Sequence, residues 1–132
     1  AIELHNPSRY AFGVLSDHAA RLLASLENAA TTRGRVEGLL IPLLHKGDLR
    51  MSDAARQLGL SRQTLYRRLK TEGLTYETLV DDLRRRMALH YLGGAKTSVN
   101  ETAYLVGFSD PSSFSRAFKR WTGDSPRAFL RR

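Results

Sequence analysis

Apolar residues recur along most of the chain at three- and four-residue intervals, the spacing that collects side chains on one face of a helix. Leu15, Ala19, Leu22, Leu23 and Leu26 form the first such stripe, with Ser16 and Asp17 before it as N-caps. Residues 1–14 carry no sustained period, and Thr31, Thr32 and Gly34 are placed to close or hinge the first helix. Val36, Leu39, Leu40, Leu43 and Leu44 make a second stripe. Pro42 inside it predicts a kink or a late start, and Lys46-Gly47 predicts its end. From Met51 the helices shorten. Ser52 caps a helix through Leu58, Gly59 turns the chain, and Ser61 caps a helix from Arg62 to about Thr71, ahead of Gly73. Thr75 opens a longer helix to about Leu92, with Leu79, Leu83, Met87 and Tyr91 on every fourth position and Gly93-Gly94 as its break. Ser98 caps a short helix to about Val106, and Gly107 turns the chain. Asp110 caps the next, with Pro111 in the first helical position, where its missing N–H costs nothing. Gly123 ends that helix, and Ser125-Pro126 starts a last one carrying Ala128, Phe129 and Leu130. No stretch alternates as a half-buried strand would, so the expected fold class is all-α.

Two segments share one layout. Ala55, Gly59, Leu65, Leu69, Lys70 and Gly73 in the first correspond to Ala103, Gly107, Phe114, Phe118, Lys119 and Gly123 in the second. A short helix with a small inward Ala, a Gly at the turn and a second helix with apolar residues four apart describe a helix-turn-helix. The Ala lets the two helices approach, and the Gly relaxes the left-handed turn. A single match is a weak signal. Two in register, joined by one helix, are much harder to obtain by chance.

Composition then narrows the partner. The 132 residues are 42% hydrophobic and 26% charged, an ordinary foldable balance for one compact unit or two small ones sharing a core. Lys and Arg number 21 against 13 Asp and Glu, for a formal net charge of +8. The excess is uneven: residues 1–46 hold 5 basic and 4 acidic groups, whereas residues 47–132 hold 16 and 9. A polyanionic partner is expected for the second segment, nucleic acid first and an anionic membrane surface second. There is no cysteine, which excludes disulfides, thiolate metal sites and a Cys nucleophile. The longest apolar run, residues 39–44, is far too short to span a bilayer, and no signal peptide is visible. His5, His18, His45 and His90 are scattered without metal-ligand spacing, and there is no glycine-rich phosphate loop or nucleophile elbow. No catalytic residue, metal or cofactor is therefore expected, and the chain is not read as an enzyme.

The run from Gly107 through Phe108, Ser109, Asp110, Pro111, Ser112, Ser113, Phe114, Ser115, Arg116, Ala117, Phe118, Lys119 and Arg120 to Trp121, followed by Gly123 and Ser125-Pro126, resembles the signature of the AraC/XylS family of bacterial transcription regulators. Residues 55–69 and 83–92 resemble that family's first motif and linker helix, so the likeness covers about residues 36–132. The resemblance implies a seven-helix, double-stranded-DNA-binding domain with two helix-turn-helix subdomains on one linker helix. It also implies RNA polymerase as a partner, a bacterial cytoplasmic, nucleoid-associated location, and a separate effector or dimerisation domain, most often N-terminal. Residues 1–32 are too short to be such a domain and read as its tail or linker, with one extra helix. Residues 33–132 read as the bipartite domain: first motif about 52–71, linker helix about 75–92, second motif about 98–121. The chain starts at Ala1 without a Met, and a piece of a longer protein is expected.

With Leu65 and Leu69 turned to the core, Arg62, Gln63, Tyr66 and Arg67 project from the first recognition helix. Arg pairs bidentately with guanine, Gln pairs with adenine, and Tyr stacks on sugar or touches a thymine methyl, which makes these four the expected base readers. In the second helix Ser112, Ser113 and Arg116 are the candidates. Ser both donates and accepts and so discriminates poorly, which leaves Arg116 as the better reader of a half that mainly anchors. Ser61, Arg68, Lys70 and Lys119 are the expected phosphate contacts. Arg84-Arg85-Arg86 is either a backbone contact between the grooves or a solvated run paired with Asp81 and Asp82. Phe108, Phe114, Phe118 and Trp121 are read as core, with Phe129 and Leu130 closing the second subdomain. A different class of function stays open: a protein-interaction or dimerisation module, using the helices at 15–30 and 35–46, with only charge-driven nucleic-acid binding.

Overall fold

Thr31 begins a helix: its hydroxyl accepts the Gly34 N–H at 2.9 Å. The structure, a computed structural model, describes residues 30–94 and 97–131; the helix expected over 15–30, with His5 and His18, lies outside them. The described residues form seven α-helices: α1 Thr32–Leu40, α2 Met51–Gln57, α3 Arg62–Thr71, α4 Tyr76–Gly94, α5 Val99–Leu105, α6 Pro111–Thr122 and α7 Pro126–Leu130. No strand occurs among them.

Pro42 decides how the second stripe folds. It lacks an N–H and crowds the carbonyl four residues back. The α-helix accordingly stops at Leu40 and the chain tightens into a 3-10 helix, Ile41–Lys46, ended by Gly47. Two boundaries differ from expectation. Helix α2 starts at Met51, so Ser52 lies inside it. Its first turn is held by the Arg50 carbonyl, which accepts from Asp53 and Ala54, and no side chain caps it. Helix α4 runs through Gly93 and Gly94 instead of breaking before them.

The remaining caps follow the sequence. Ser61 accepts from the Thr64 N–H, Ser98 and Glu101 form a reciprocal capping box, Asp110 accepts from Ser113, and Ser125 accepts from Ala128. Both motif turns close identically. The Leu60 N–H reaches the Ala55 carbonyl and the Phe108 N–H reaches Ala103, each at 2.9 Å, while the Gly59 and Gly107 N–H groups reach the Arg56 and Tyr104 carbonyls, one residue further in at each end. This pattern requires a left-handed residue at the turn, and φ is +72° at Gly59 and +100° at Gly107.

One core joins everything. Val36, Leu40 and Leu44 contribute from the N-terminal side, Leu65 and Leu69 from α3, and Phe114 and Phe118 from α6. Between them lie Leu79, Leu83, Met87 and Tyr91 of α4, all at most 2% exposed. Phe114 and Trp121 pack edge-on against Phe108, Phe114 lies tilted against Phe118, and Phe118 meets Phe129 at 5.4 Å, so these aromatics are core as expected. Leu130 is not: it is 47% exposed.

The arginine run of α4 divides its roles. Asp82 takes Arg85 and Arg86 at 2.9 and 2.8 Å, and Arg33 of α1 at 3.0 Å; Glu37 of α1 takes Arg33 and Arg86. Asp81 turns away from the run, accepting from the Trp121 indole and from Arg120 of α6. Arg84 points inward, to the Gly47 carbonyl. The run is thus a tie between elements more than a solvated face. At the start of α1, the Glu72 carboxylate accepts from the Thr32 and Arg33 N–H groups, so the residue that follows α3 also holds the first turn of α1.

Two expectations follow. Phe114→Ala removes a fully buried ring between α5 and α6 and should lower unfolding free energy by about 3–5 kcal/mol in urea titration. Burial alone would raise the Asp82 carboxyl, but the hydrogen bonds and charge of Arg85 and Arg86 outweigh it and hold it below the ordinary aspartate value. A group lowered on folding stabilises above its unfolded value and loses that effect as pH falls through its folded one. Melting temperature should therefore hold down to about pH 4 and decline below it, and Asp82→Asn should flatten that decline.

Candidate nucleic-acid interface

On a helix each residue advances by about 100°, so burial of one stripe dictates what stands opposite. In α3, Leu65 and Leu69 are fully buried. The direction away from them falls on Arg67 and Gln63, with Lys70 beside them and Tyr66 on one flank, and all four are exposed. Tyr66 is 47% exposed, and the Lys70 ammonium lies 5.8 Å from its ring centre. Arg68, also exposed, takes the other flank, and Arg62, exposed at the first turn, lies on the side nearer the buried stripe, not on the outward face expected for it. Arg62, the first residue of α3, lines an open cleft of about 530 Å³ together with Arg50, Met51, Tyr76, Glu77 and Arg84. Ser61 stands at the N-terminus of α3, its hydroxyl engaged with the Thr64 N–H and hydroxyl.

In α6 the same arithmetic, with Phe114 and Phe118 buried, puts Ser112, Arg116 and Lys119 outward, and all three are exposed. Ser113 sits to one side and is already engaged. Its N–H and hydroxyl both donate to Asp110, at 2.8 and 3.0 Å, and its oxygen accepts from Arg116 at 3.3 Å. These bonds hold the Asp110 carboxyl below its usual range, the Ser113 N–H chief among them.

The duplication extends to the outward faces. Arg67 and Lys70 of α3 stand where Arg116 and Lys119 stand in α6, and the caps Ser61 and Asp110 correspond as well. The faces differ at Gln63 and Ser112, and at Tyr66 and Ser115. Each element therefore offers an N-terminal polar side chain, a central Arg and a distal Lys, with the exposed Tyr66 ring added beside them in α3. Fork-shaped guanidinium and flexible ammonium are the donors suited to base edges and phosphates respectively.

Sequence reading did not find Arg84 at the Gly47 carbonyl, the Asp81–Trp121 bond or Glu72 as a cap for α1. Each joins residues far apart in sequence, and no local pattern announces such a pair. Among the described residues no cluster of His, Cys, Asp or Glu is arranged to hold a metal ion, and no helix is long and apolar enough to cross a membrane.

Two matched helix-turn-helix units on a shared linker helix, each with a basic outward face, define a DNA-binding domain of the bipartite helix-turn-helix class. A family model described as "Helix-turn-helix domain" matches residues 54–132. The ornithine utilization regulator of Pseudomonas aeruginosa is 42% identical over 106 residues, covering 80% of this chain and 31% of the regulator. A DNA-binding transcriptional dual regulator from Escherichia coli K-12 superposes with a TM-score of 0.70 at 22% identity, over 76% of this chain and 90% of that one. The DNA-binding domain of the global transcriptional factor AdpA, solved with a target DNA, gives 0.65 at 26% identity, over 76% and 90%. The chain belongs to the AraC/XylS family of transcription regulators. It spans about a third of the length of the curated relatives it matches.

Ser61→Ala should lower unfolding free energy by about 0.5–2 kcal/mol through loss of the α3 cap. Lys70→Ala, on the exposed face, should stay within about 0.5 kcal/mol of the parent in the same urea titration.

Proposed function

We propose that the chain is the sequence-specific, double-stranded-DNA-binding part of a bacterial transcription regulator, placing α3 and α6 in successive major grooves. The observation that carries this reading is the repeat of the Arg–Lys pair on two outward faces held by one helix. Helix α4 has 19 residues and so measures about 28 Å. Successive major grooves on one face of a duplex lie about 34 Å apart, a distance two tilted helices at that separation can meet. Arg67, Gln63, Tyr66 and Arg62 would read bases from α3, and Arg116, with Ser112 and Ser113, from α6. Lys70, Lys119, Arg68 and Ser61 would contact phosphates. The reading is supported by the family and by the DNA complex solved for AdpA. It further assigns RNA polymerase as a protein partner, an effector or dimerisation domain in the longer protein, action in the bacterial cytoplasm at the nucleoid, and no catalytic activity.

Selection from a random double-stranded DNA pool should enrich an asymmetric motif with two preferred patches about ten base pairs apart. Arg67→Ala should cost about 1–3 kcal/mol and relax preference at one base position, whereas Lys70→Ala should weaken all sequences alike and reduce the salt slope by about one. Loss of affinity that is equal for every sequence in Arg67→Ala, or no enrichment with binding abolished by moderate salt, would overturn the reading in favour of charge-driven binding.

A further inference from the structure

The two halves meet backbone to backbone at Gly47 and Gly107. Gly107, the turn of the second unit, lies against Gly47, which ends the 3-10 helix ahead of the first unit. A Cβ on Gly107 would fall 2.5 Å from the Leu44 carbonyl oxygen and 3.2 Å from the Gly47 Cα; one on Gly47 would fall 2.9 Å from the Gly107 carbonyl oxygen. Neither position has room for a side chain. Arg84 of α4 closes the contact. Its Nη2 donates to the Gly47 carbonyl at 2.8 Å, and its guanidinium lies 5.7 Å from the ring centre of Phe108, the residue after Gly107. The Arg84 Nε is buried without a hydrogen-bond partner. An arginine held this way, with part of its donor set unused, is costly to bury and contributes position. The loop after Gly47 is fixed in turn, since the Tyr76 hydroxyl donates to the Leu49 carbonyl at 2.8 Å.

We propose that this joint sets the distance and angle between α3 and α6 and thereby selects the number of base pairs between the two half-elements, with Arg84 as its positioning residue. The inference rests on the two-groove reading. Arg84 belongs to neither outward face, so it acts through the placement of α6 and not by touching DNA. One base pair more or less moves a half-element by about 3.4 Å along the duplex and turns it by about 35°. Two backbones in van der Waals contact, pinned by a guanidinium, cannot absorb that displacement, so a wrong spacing has to be met by deforming the DNA.

The test varies spacing alone. The two half-elements selected by the parent chain are joined by spacers lengthened and shortened one base pair at a time, and affinity is measured for the parent and for Arg84→Met, Gly47→Ala and Gly73→Ala. Gly73 is the control: its φ of +81° equals that of Gly47, but a Cβ there meets nothing within 4 Å. The parent and Gly73→Ala should favour one spacing about tenfold over its neighbours. Arg84→Met and Gly47→Ala should reduce that preference to about threefold or less, or move the optimum, while each half-element alone is bound as by the parent. Should Arg84→Met fail to fold by circular dichroism, Arg84→Lys carries the same expectation, because a compact ammonium cannot serve both the Gly47 carbonyl and the Phe108 ring as the wider guanidinium does. Folded variants at positions 84 and 47 that keep the parent's spacing preference would overturn the proposal. A parent chain that selects no paired half-elements would instead remove the two-groove reading, and this inference with it.

Discussion

Neither helix-turn-helix unit can enclose a core by itself, and the buried stripe of α4 is what lets both exist. Helices of seven and ten or twelve residues leave too much surface for the volume they cover. Leu79, Leu83, Met87 and Tyr91 join one buried cluster with Leu65 and Leu69 of α3, Ala103 of α5, and Phe114 and Phe118 of α6, and so supply the missing wall. The linker is therefore the middle of the molecule and not a tether between two domains. Its polar face continues the task, with Asp81 holding the end of α6 and Asp82 holding α1. The small residues Ala55 and Ala103, 1% and 0% exposed, let the first helix of each unit come close to the second.

How much of this was legible depends on range. Periodicity gave the helices, because burial of a fixed face repeats every three or four residues regardless of what covers it. Gly59 and Gly107 announced their turns because almost only glycine relaxes at positive φ. The outward faces of α3 and α6 could be named once the inward ones were known. Helix starts were less legible. Thr31 reads equally well as the end of one helix or the cap of another, and Ser52 is a good cap that the fold does not use. What stayed hidden was long-range: Arg84 looks like one of three surface arginines until Gly47 is placed beside it. Gly47 itself reads as an ordinary helix end, although its lack of a side chain also serves a contact with residue 107.

The charge of the chain divides into two populations that composition cannot separate. Arg33, Arg84, Arg85, Arg86 and Arg120 bond carboxylates or a carbonyl within the fold. Arg67, Lys70 and Lys119 are exposed on outward faces, with Arg116 leaning on Ser113. The net excess that first pointed to a polyanion is thus partly structural. The surface that meets a partner is described better by the repeated Arg–Lys spacing than by the total.

The two caps give the molecule a direction. A helix start carries a partial positive charge, which a hydroxyl such as that of Ser61 leaves in place and a carboxylate such as that of Asp110 largely cancels. A phosphate approaching α3 meets an open dipole; one approaching α6 meets an anion already seated there. Although the scaffold is repeated, its electric field is not, and the two outward helices receive an anion at their starts on unequal terms.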